Sequence, residues 1–441
     1  YADKGIVSKI TDPQAKAMTN AYDFKNGIFY VTDYNGAKKK KVINEQGKLI
    51  QEDQIEGATS NAIKKIEYLE NRTERITDSA GNITTIQRDD WRNIIKSIDG
   101  EGNETRITYN NNKKPLTITD PLGNITRMEY DTYGNLIKLT RAEGKPEQKI
   151  TAYTYDNYNQ LTSTNINGLT TTYTYNEQGL ATAITDVRGN KTNIEYDAAG
   201  NPKKITDSPG NIATATYDQS GHPLTITDPN GKTTTNTYNA KGNLIKTIDP
   251  SGNETSFTYD FANNMKASTD AEGKTITYDY DAIKRLIKTT DASGGITTFS
   301  YGTGCASCGG SDNMTSLTDP KNQATTFTYD KGLMIKETNP LGKSRTYIYN
   351  HNKQITGVID YKGQTTTFSY DPLGRLKAKT TADDTFTFTY DPLGRMTSAK
   401  NNTSDIAFTY DTKGSLTGEK DNAKNTQITY TYDNYGNRIT M

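Results

Sequence analysis

Tyrosine recurs along this chain with a period that leaves few folds open. Tyr175, Tyr196, Tyr217, Tyr238, Tyr259, Tyr280 and Tyr301 stand 21 residues apart, and Tyr329, Tyr349, Tyr370, Tyr390, Tyr410 and Tyr432 continue the register. Backwards the series passes Tyr155, Tyr130 and Tyr109, a substituted position at Arg88, then Tyr68, Ile43, Tyr22 and Tyr1. Residues 1–441 thus read as one continuous array of about twenty-one units, each of roughly 21 residues. Units within 1–108 are more degenerate, and the unit over 301–329 is longer than the rest.

The clearest unit signature is Tyr-Asp-x-x-Gly-Asn. It is carried by Tyr130, Asp131, Gly134 and Asn135, by Tyr196, Asp197, Gly200 and Asn201, and by Tyr432, Asp433, Gly436 and Asn437. A related turn, such as Asp120-Pro121-Leu122-Gly123-Asn124, falls in the middle of each unit, so the building block is half the period. Asp186, Asp197, Asp207, Asp218 and Asp228 show the alternation directly. In Asp-x-x-Gly the carboxylate can accept backbone N–H groups, proline presets φ, and glycine takes the left-handed conformation. Such a corner suits a tight hairpin with a bulge. Between corners lie six or seven residues rich in Thr, Tyr and Ile, as in Thr170 to Tyr175, which favours strand over helix.

The expected fold class is therefore all-β: tandem β-hairpins forming one long antiparallel sheet. Two strands per unit give on the order of 40 strands, and at about 4.8 Å each a flat sheet would run roughly 200 Å. Twist accumulates over such a span, so the sheet has to spiral into a shell, barrel or elongated tube. Equivalent tyrosines, roughly 10 Å apart along the sheet, are expected to form its packing layer with Thr and Ile.

Composition narrows the function classes. Only 32% of residues are apolar and the chain holds 30 tyrosines, so a thick dry core is not expected. Fifty-two basic residues balance 52 acidic ones, which provides no field for nucleic acid or an anionic membrane. No apolar stretch is long enough for a membrane span. The run Lys38 to Lys41 reads as a device that blunts an exposed strand. The first residues lack the basic start and apolar middle of a signal peptide, and the chain reads as a mature or excised piece of something longer.

Tyr-Asp-x-x-Gly-Asn-Leu followed by Thr-Asp-Pro-x-Gly-Asn resembles the YD repeats of the Rhs family, which includes bacterial polymorphic toxins, wall-associated proteins and teneurins. Asp120, Pro121, Gly123, Asn124, Asp131, Gly134, Asn135 and Leu136 sit on that motif, and the likeness covers nearly the whole chain. The resemblance implies a hairpin sheet spiralling into a hollow shell that encloses a C-terminal toxin, or a cell-surface barrel. Toxin-bearing members close with a distinct autoproteolytic segment. Here Asp371-Pro372-Leu373-Gly374 and Asp391-Pro392-Leu393-Gly394 look like ordinary repeat turns, so cleavage does not carry over.

Candidate chemistry is sparse. Cys305 and Cys308 sit in a glycine-rich insertion and read as a small loop, disulfide-closed or reduced. Zinc lacks partners, because His222 and His351 lie in distant units, and haem attachment lacks the histidine that Gly309 replaces. The aspartates invite a glycosidase reading, yet their periodicity makes them turn caps, and the dense ligand spacing for calcium is missing. His222 and His351 read as surface imidazoles; Trp91 either caps packing near a turn or marks a binding spot. No catalytic residue, cofactor or metal is expected. The reading is a non-catalytic extracytoplasmic scaffold, secreted or on the cell surface, that encloses or presents other segments of its own larger polypeptide or a toxin cargo. The rival is a cell-surface adhesin or extracellular filament-forming protein that binds glycans or self-associates into fibres. A repeat-built glycosidase is a third and weaker reading.

Overall fold

The computed structural model describes residues 9–11, 17–23, 26–32, 38–56, 59–302 and 313–440. Cys305 and Cys308, and with them the expectation of a disulfide, lie outside the described residues. The described chain contains no helix. Forty strands form one sheet, and Thr431–Tyr432 with Arg438–Thr440 form a separate two-stranded one. Successive strands pair antiparallel, as the turn spacing predicts.

Two kinds of corner alternate. Lys191–Tyr196 pairs with Pro202–Thr206 through Asn193↔Thr206, Ile194↔Ile205 and Glu195↔Lys204, and the register then slips so that Tyr196 faces Pro202. The same bulge falls at Tyr130, Tyr155, Tyr175, Tyr217, Tyr238, Tyr259, Tyr349 and Tyr370. At the opposite corner, after the threonine end of a strand, the ladder is regular: Ala183↔Asn193, Ile184↔Thr192 and Thr185↔Lys191. One extra residue at alternate corners raises local twist in one sense, which keeps a 40-stranded sheet from lying flat.

Burial alternates residue by residue along the strands, as in Leu169–Tyr175, because successive side chains point to opposite faces. Few described side chains are buried: Met128, Ala142, Ala183 and Tyr430 among the apolar, and Asp53, Thr140, Thr151 and Asp391 among the polar. Threonine pairs across strands add hydroxyl contacts, such as Thr216 to Thr225 at 2.7 Å and Thr108 to Thr117 at 2.6 Å.

The lysine run behaves differently from expectation. Lys38–Ile43 is no exposed edge, for it pairs with Ile28–Thr32 on one side and Leu49–Glu56 on the other. Lys39 and Lys40 lie 3.4 and 3.7 Å from the carboxylates of Glu52 and Asp53. Acidic partners on the neighbouring strand, invisible to a count of local charge, turn the run into a cross-strand ion ladder.

Contacts divide the chain into two compact units. One comprises Tyr1–Gly123, Tyr280–Ile287 and Thr297–Phe388, the other Asn124–Asp279, Lys288–Ile296 and Thr389–Met441. Each brings together turns about 250 to 275 residues apart. In the first, the His351 backbone N–H donates to Glu101 at 2.8 Å, Asn352 donates to Asp99 at 2.7 Å, and Lys353 meets Asp78 at 3.0 Å. In the second, Asn167 donates to the Thr412 carbonyl at 2.6 Å, and Arg188 donates to Asn437. Every contact named here joins a mid-unit turn from the earlier stretch to a turn that follows a repeat tyrosine from the later one.

Candidate functional site

The recurring assembly is a corner plus the tyrosine of the next unit. In the corner of Asp197, one carboxylate oxygen accepts from the backbone N–H groups of Ala199 and Asn201, each at 2.9 Å, while the other accepts from the Asn201 side chain at 3.0 Å. The Gly200 N–H donates to the Asp197 carbonyl at 3.1 Å, and Gly200 has φ +89°. Asp131 and Asp433 repeat the arrangement with Asn135 and Asn437, around Gly134 at φ +86° and Gly436 at φ +88°. One carboxylate thus satisfies the donors that reversing the chain strips from the ladder.

Substitutions at the first and last positions of the corner preserve the scheme. Asn176, Asn239, Asn339 and Asn350 replace the aspartate and accept the same two backbone N–H groups. Where arginine replaces the last asparagine, its Nε donates to the carboxylate, at 2.6 Å in Asp281/Arg285 and Asp371/Arg375 and 2.5 Å in Asp391/Arg395. The guanidinium groups of Arg285 and Arg395 then lie over the rings of Tyr301 and Tyr410, at 4.7 and 4.6 Å. His222 likewise meets Asp218 at 2.9 Å and stacks on Tyr238.

The tyrosine hydroxyl has a partner that the periodicity did not reveal. Tyr196 donates to the Ala181 carbonyl at 2.7 Å, Tyr259 to Leu244 at 2.8 Å, Tyr370 to Ile355 at 2.7 Å and Tyr432 to Leu416 at 2.7 Å. The accepting residue in each case opposes the previous unit's tyrosine across its bulge, as Ala181 opposes Tyr175. The ladder to the following strand ends short of it, at Ala183↔Asn193, so the strands fan apart there and the phenol closes the gap. The available signal was the use of Tyr where Phe would serve a purely apolar layer. Burial pushes the phenols of Tyr155, Tyr349 and Tyr370 up, keeping them hydrogen-bond donors. Tyr370→Phe is expected to lower stability by about 1 kcal/mol, read as a shift in urea midpoint; an unchanged midpoint would remove the hydroxyl from the account.

The corner carboxylates act as hydrogen-bond acceptors. The Asn201 side chain holds Asp197 below the usual carboxylate range, and Asn253 and His222 do the same for Asp249 and Asp218. For Asp99, burial acts to raise the value but hydrogen bonds from Asn103 and Asn352 outweigh it. Every described aspartate with a resolved shift is lowered, whereas general-acid work needs a carboxyl that is raised. With folded values below unfolded ones, the stabilisation is complete above the unfolded carboxylate pKa and is lost as pH falls through the folded values. The melting temperature is therefore expected to stay level down to about pH 4 and fall below it. A fall beginning near neutrality would point to other groups.

Among the described residues no cluster of three or more His, Cys, Asp or Glu could hold a metal ion. His351 sits 3.1 Å from Glu101 at one of the long-range contacts, and His222 pairs with Asp218 in its own corner. Trp91 is exposed at the third position of its corner, under the Lys113 ammonium at 4.3 Å. A cleft of about 320 Å³ lies between Glu147 and Gln148 and the stretch Thr409 to Thr412; of its carboxylates, Asp391 accepts from Arg395 and Asp411 from the Lys413 and Ser415 backbone N–H groups.

A sheet of Asp-x-x-Gly corners in which tyrosine hydroxyls tie successive units defines a YD-repeat structural scaffold. The teneurin YD-shell family model matches residues 37–302 and 313–441, and the chain belongs to that family. The match breaks over 303–312, the segment that carries Cys305 and Cys308. The fold is similar to the crystal structure of TcdB2-TccC3 without its hypervariable C-terminal region, with TM-score 0.72 and 16% identity over 96% of this chain and 27% of that one. It is also similar to the TcdB2-TccC3 crystal structure, with TM-score 0.63 and 13% identity over 99% and 33%, and to a Photorhabdus luminescens Tc holotoxin pore, with TM-score 0.67 and 15% identity over 96% and 27%. The chain spans about a third or less of the length of these structures. No curated protein matches it.

Proposed function

We propose that this chain is a non-catalytic, extracytoplasmic wall segment that encloses or presents another part of a larger polypeptide, in the manner of a toxin-encapsulating shell. The observation that carries this reading is the family membership combined with a fold similar to TcdB2-TccC3 lacking its hypervariable C-terminal region. The chemistry of the corners agrees with it. Their polar groups are spent on the backbone of the same sheet, so the repeats supply rigidity and no reacting group. The teneurin and Tc toxin relationships favour a secreted or surface-exposed location.

Limited proteolysis of the full-length polypeptide tests the proposal. Segments outside the repeat array are expected to resist protease while the array is folded and to be digested once urea opens it. Equal digestion rates for those segments attached to the folded array and expressed alone would overturn enclosure.

A further inference from the structure

Within the first compact unit, one later corner reaches two earlier ones with three successive residues. The His351 N–H and ring Nδ1 meet Glu101 at 2.8 and 3.1 Å, Asn352 donates to Asp99 at 2.7 Å, and Lys353 lies 3.0 Å from Asp78. One unit back, Lys331 donates to the Ala80 carbonyl at 3.3 Å. Carboxylates thus stand on the earlier side and lysines on the later. The junction is wet: two clefts of about 320 and 410 Å³ lie against it, and Asn103, Asn352 and Gln354 line both. Its cations are open to solvent, the His351 side chain 70% and that of Lys353 51% exposed. Ion pairs so exposed contribute little and weaken with salt.

Neither side needs the junction for its own corner. Asp99 accepts the N–H groups of Glu101 at 3.0 Å and Asn103 at 2.8 Å, and Asn350 accepts those of Asn352 at 3.0 Å and Gln354 at 2.9 Å. The flanking strands pair with each other, Ile94–Ile98 with Glu104–Tyr109 and Ser344–Tyr349 with Ile355–Ile359. Of the N–H groups from Asn350 to Lys353, that of His351 alone has its partner across the junction.

Gly100 shapes the socket. A Cβ there would stand 2.7 Å from the His351 carbonyl oxygen and 3.0 Å from the His351 Cβ, although Gly100 lies outside the left-handed region that favours glycine. The turn itself accepts alanine. Asp270-Ala271-Glu272-Gly273 differs from Asp99-Gly100-Glu101-Gly102 at that position alone, and Asp270 still accepts the N–H groups of Glu272 and Lys274 at 3.0 and 2.9 Å. What excludes a side chain at position 100 is therefore the opposing corner.

We propose that this junction is a releasable latch, which opens as one piece while the hairpins on either side stay folded, and that Gly100 is the residue that lets it close. The latch lies within this one unit and does not depend on what the array encloses.

Residue-level hydrogen exchange on the whole chain at neutral pH is the test. Raising salt to about 1 M, where the Debye length is about 3 Å, should speed exchange of the His351 amide on the order of tenfold. The amides of Gly102 and Lys353, bonded inside their own corners, should keep their low-salt rates. Gly100→Ala should show the faster His351 rate already at low salt, with the circular dichroism and urea midpoint of the wild type. If that variant unfolds, the wild-type salt series decides alone. A His351 rate indifferent to salt, one unmoved in a folded Gly100→Ala chain, or acceleration of all three amides together, which would tie opening to unfolding, would each overturn the latch.

Discussion

Asp391→Ala is expected to lower unfolding stability by about 3 kcal/mol, among the largest effects available in this protein. Asp391 is buried, and its carboxylate accepts the Leu393 and Arg395 backbone N–H groups, each at 2.9 Å, and Arg395 Nε at 2.5 Å. Alanine leaves two backbone donors and a largely covered guanidinium without their acceptor. The cost of an orphaned partner exceeds the net gain of the bonds it once made. Asp391→Asn separates the two contributions. Asparagine already occupies this position in the corners of Asn176, Asn239, Asn339 and Asn350 and accepts the same N–H pair. It should therefore recover the backbone bonds and lose the ion pair, costing about 1 kcal/mol. Urea unfolding of both variants at neutral pH provides the comparison. Equal losses for Ala and Asn would place the whole effect in the ion pair.

Gly134→Val is expected to cost about 2–3 kcal/mol, because Gly134 holds φ +86° and a β-branched side chain strongly resists that region. The opposite change tests the sign. Arg92 occupies the equivalent corner position at φ +69°, so Arg92→Gly should relieve strain and stabilise by up to about 1 kcal/mol. The bond that Arg92 accepts from Arg88, at 3.0 Å, uses its backbone carbonyl and survives the substitution. A Gly134→Val chain that melts with the wild type, or an Arg92→Gly chain that melts earlier, would contradict the left-handed corner as a source of strain.

Much of the corner was legible in the residues. Asp, Gly and the intervening Thr-rich stretches set hairpin length and strand alternation, and in the structure the corners of Asp131, Asp197 and Asp433 are built by Asp accepting N–H groups and Gly adopting positive φ. The destination of the tyrosine hydroxyl was not legible. It depends on strands fanning apart at the bulge, so that Tyr196 reaches Ala181, a geometry that alternation along one strand does not encode. The lysine run was misread for a similar reason, since its acidic partners Glu52 and Asp53 come from the neighbouring strand.

By itself the sequence determined everything of short range: an all-β chain, a corner about every ten residues, and the YD-shell family. Those features rest on local φ preferences and side-chain-to-backbone bonds that span at most five residues. Only the tertiary structure decided which corners meet, about 250 residues or roughly twelve units apart. That distance is the sum of many small twists, one per hairpin, and a slight change in each moves the meeting point by whole units. The same Pro-Leu-Gly corner is consequently half covered at Leu122 and bare at Leu341.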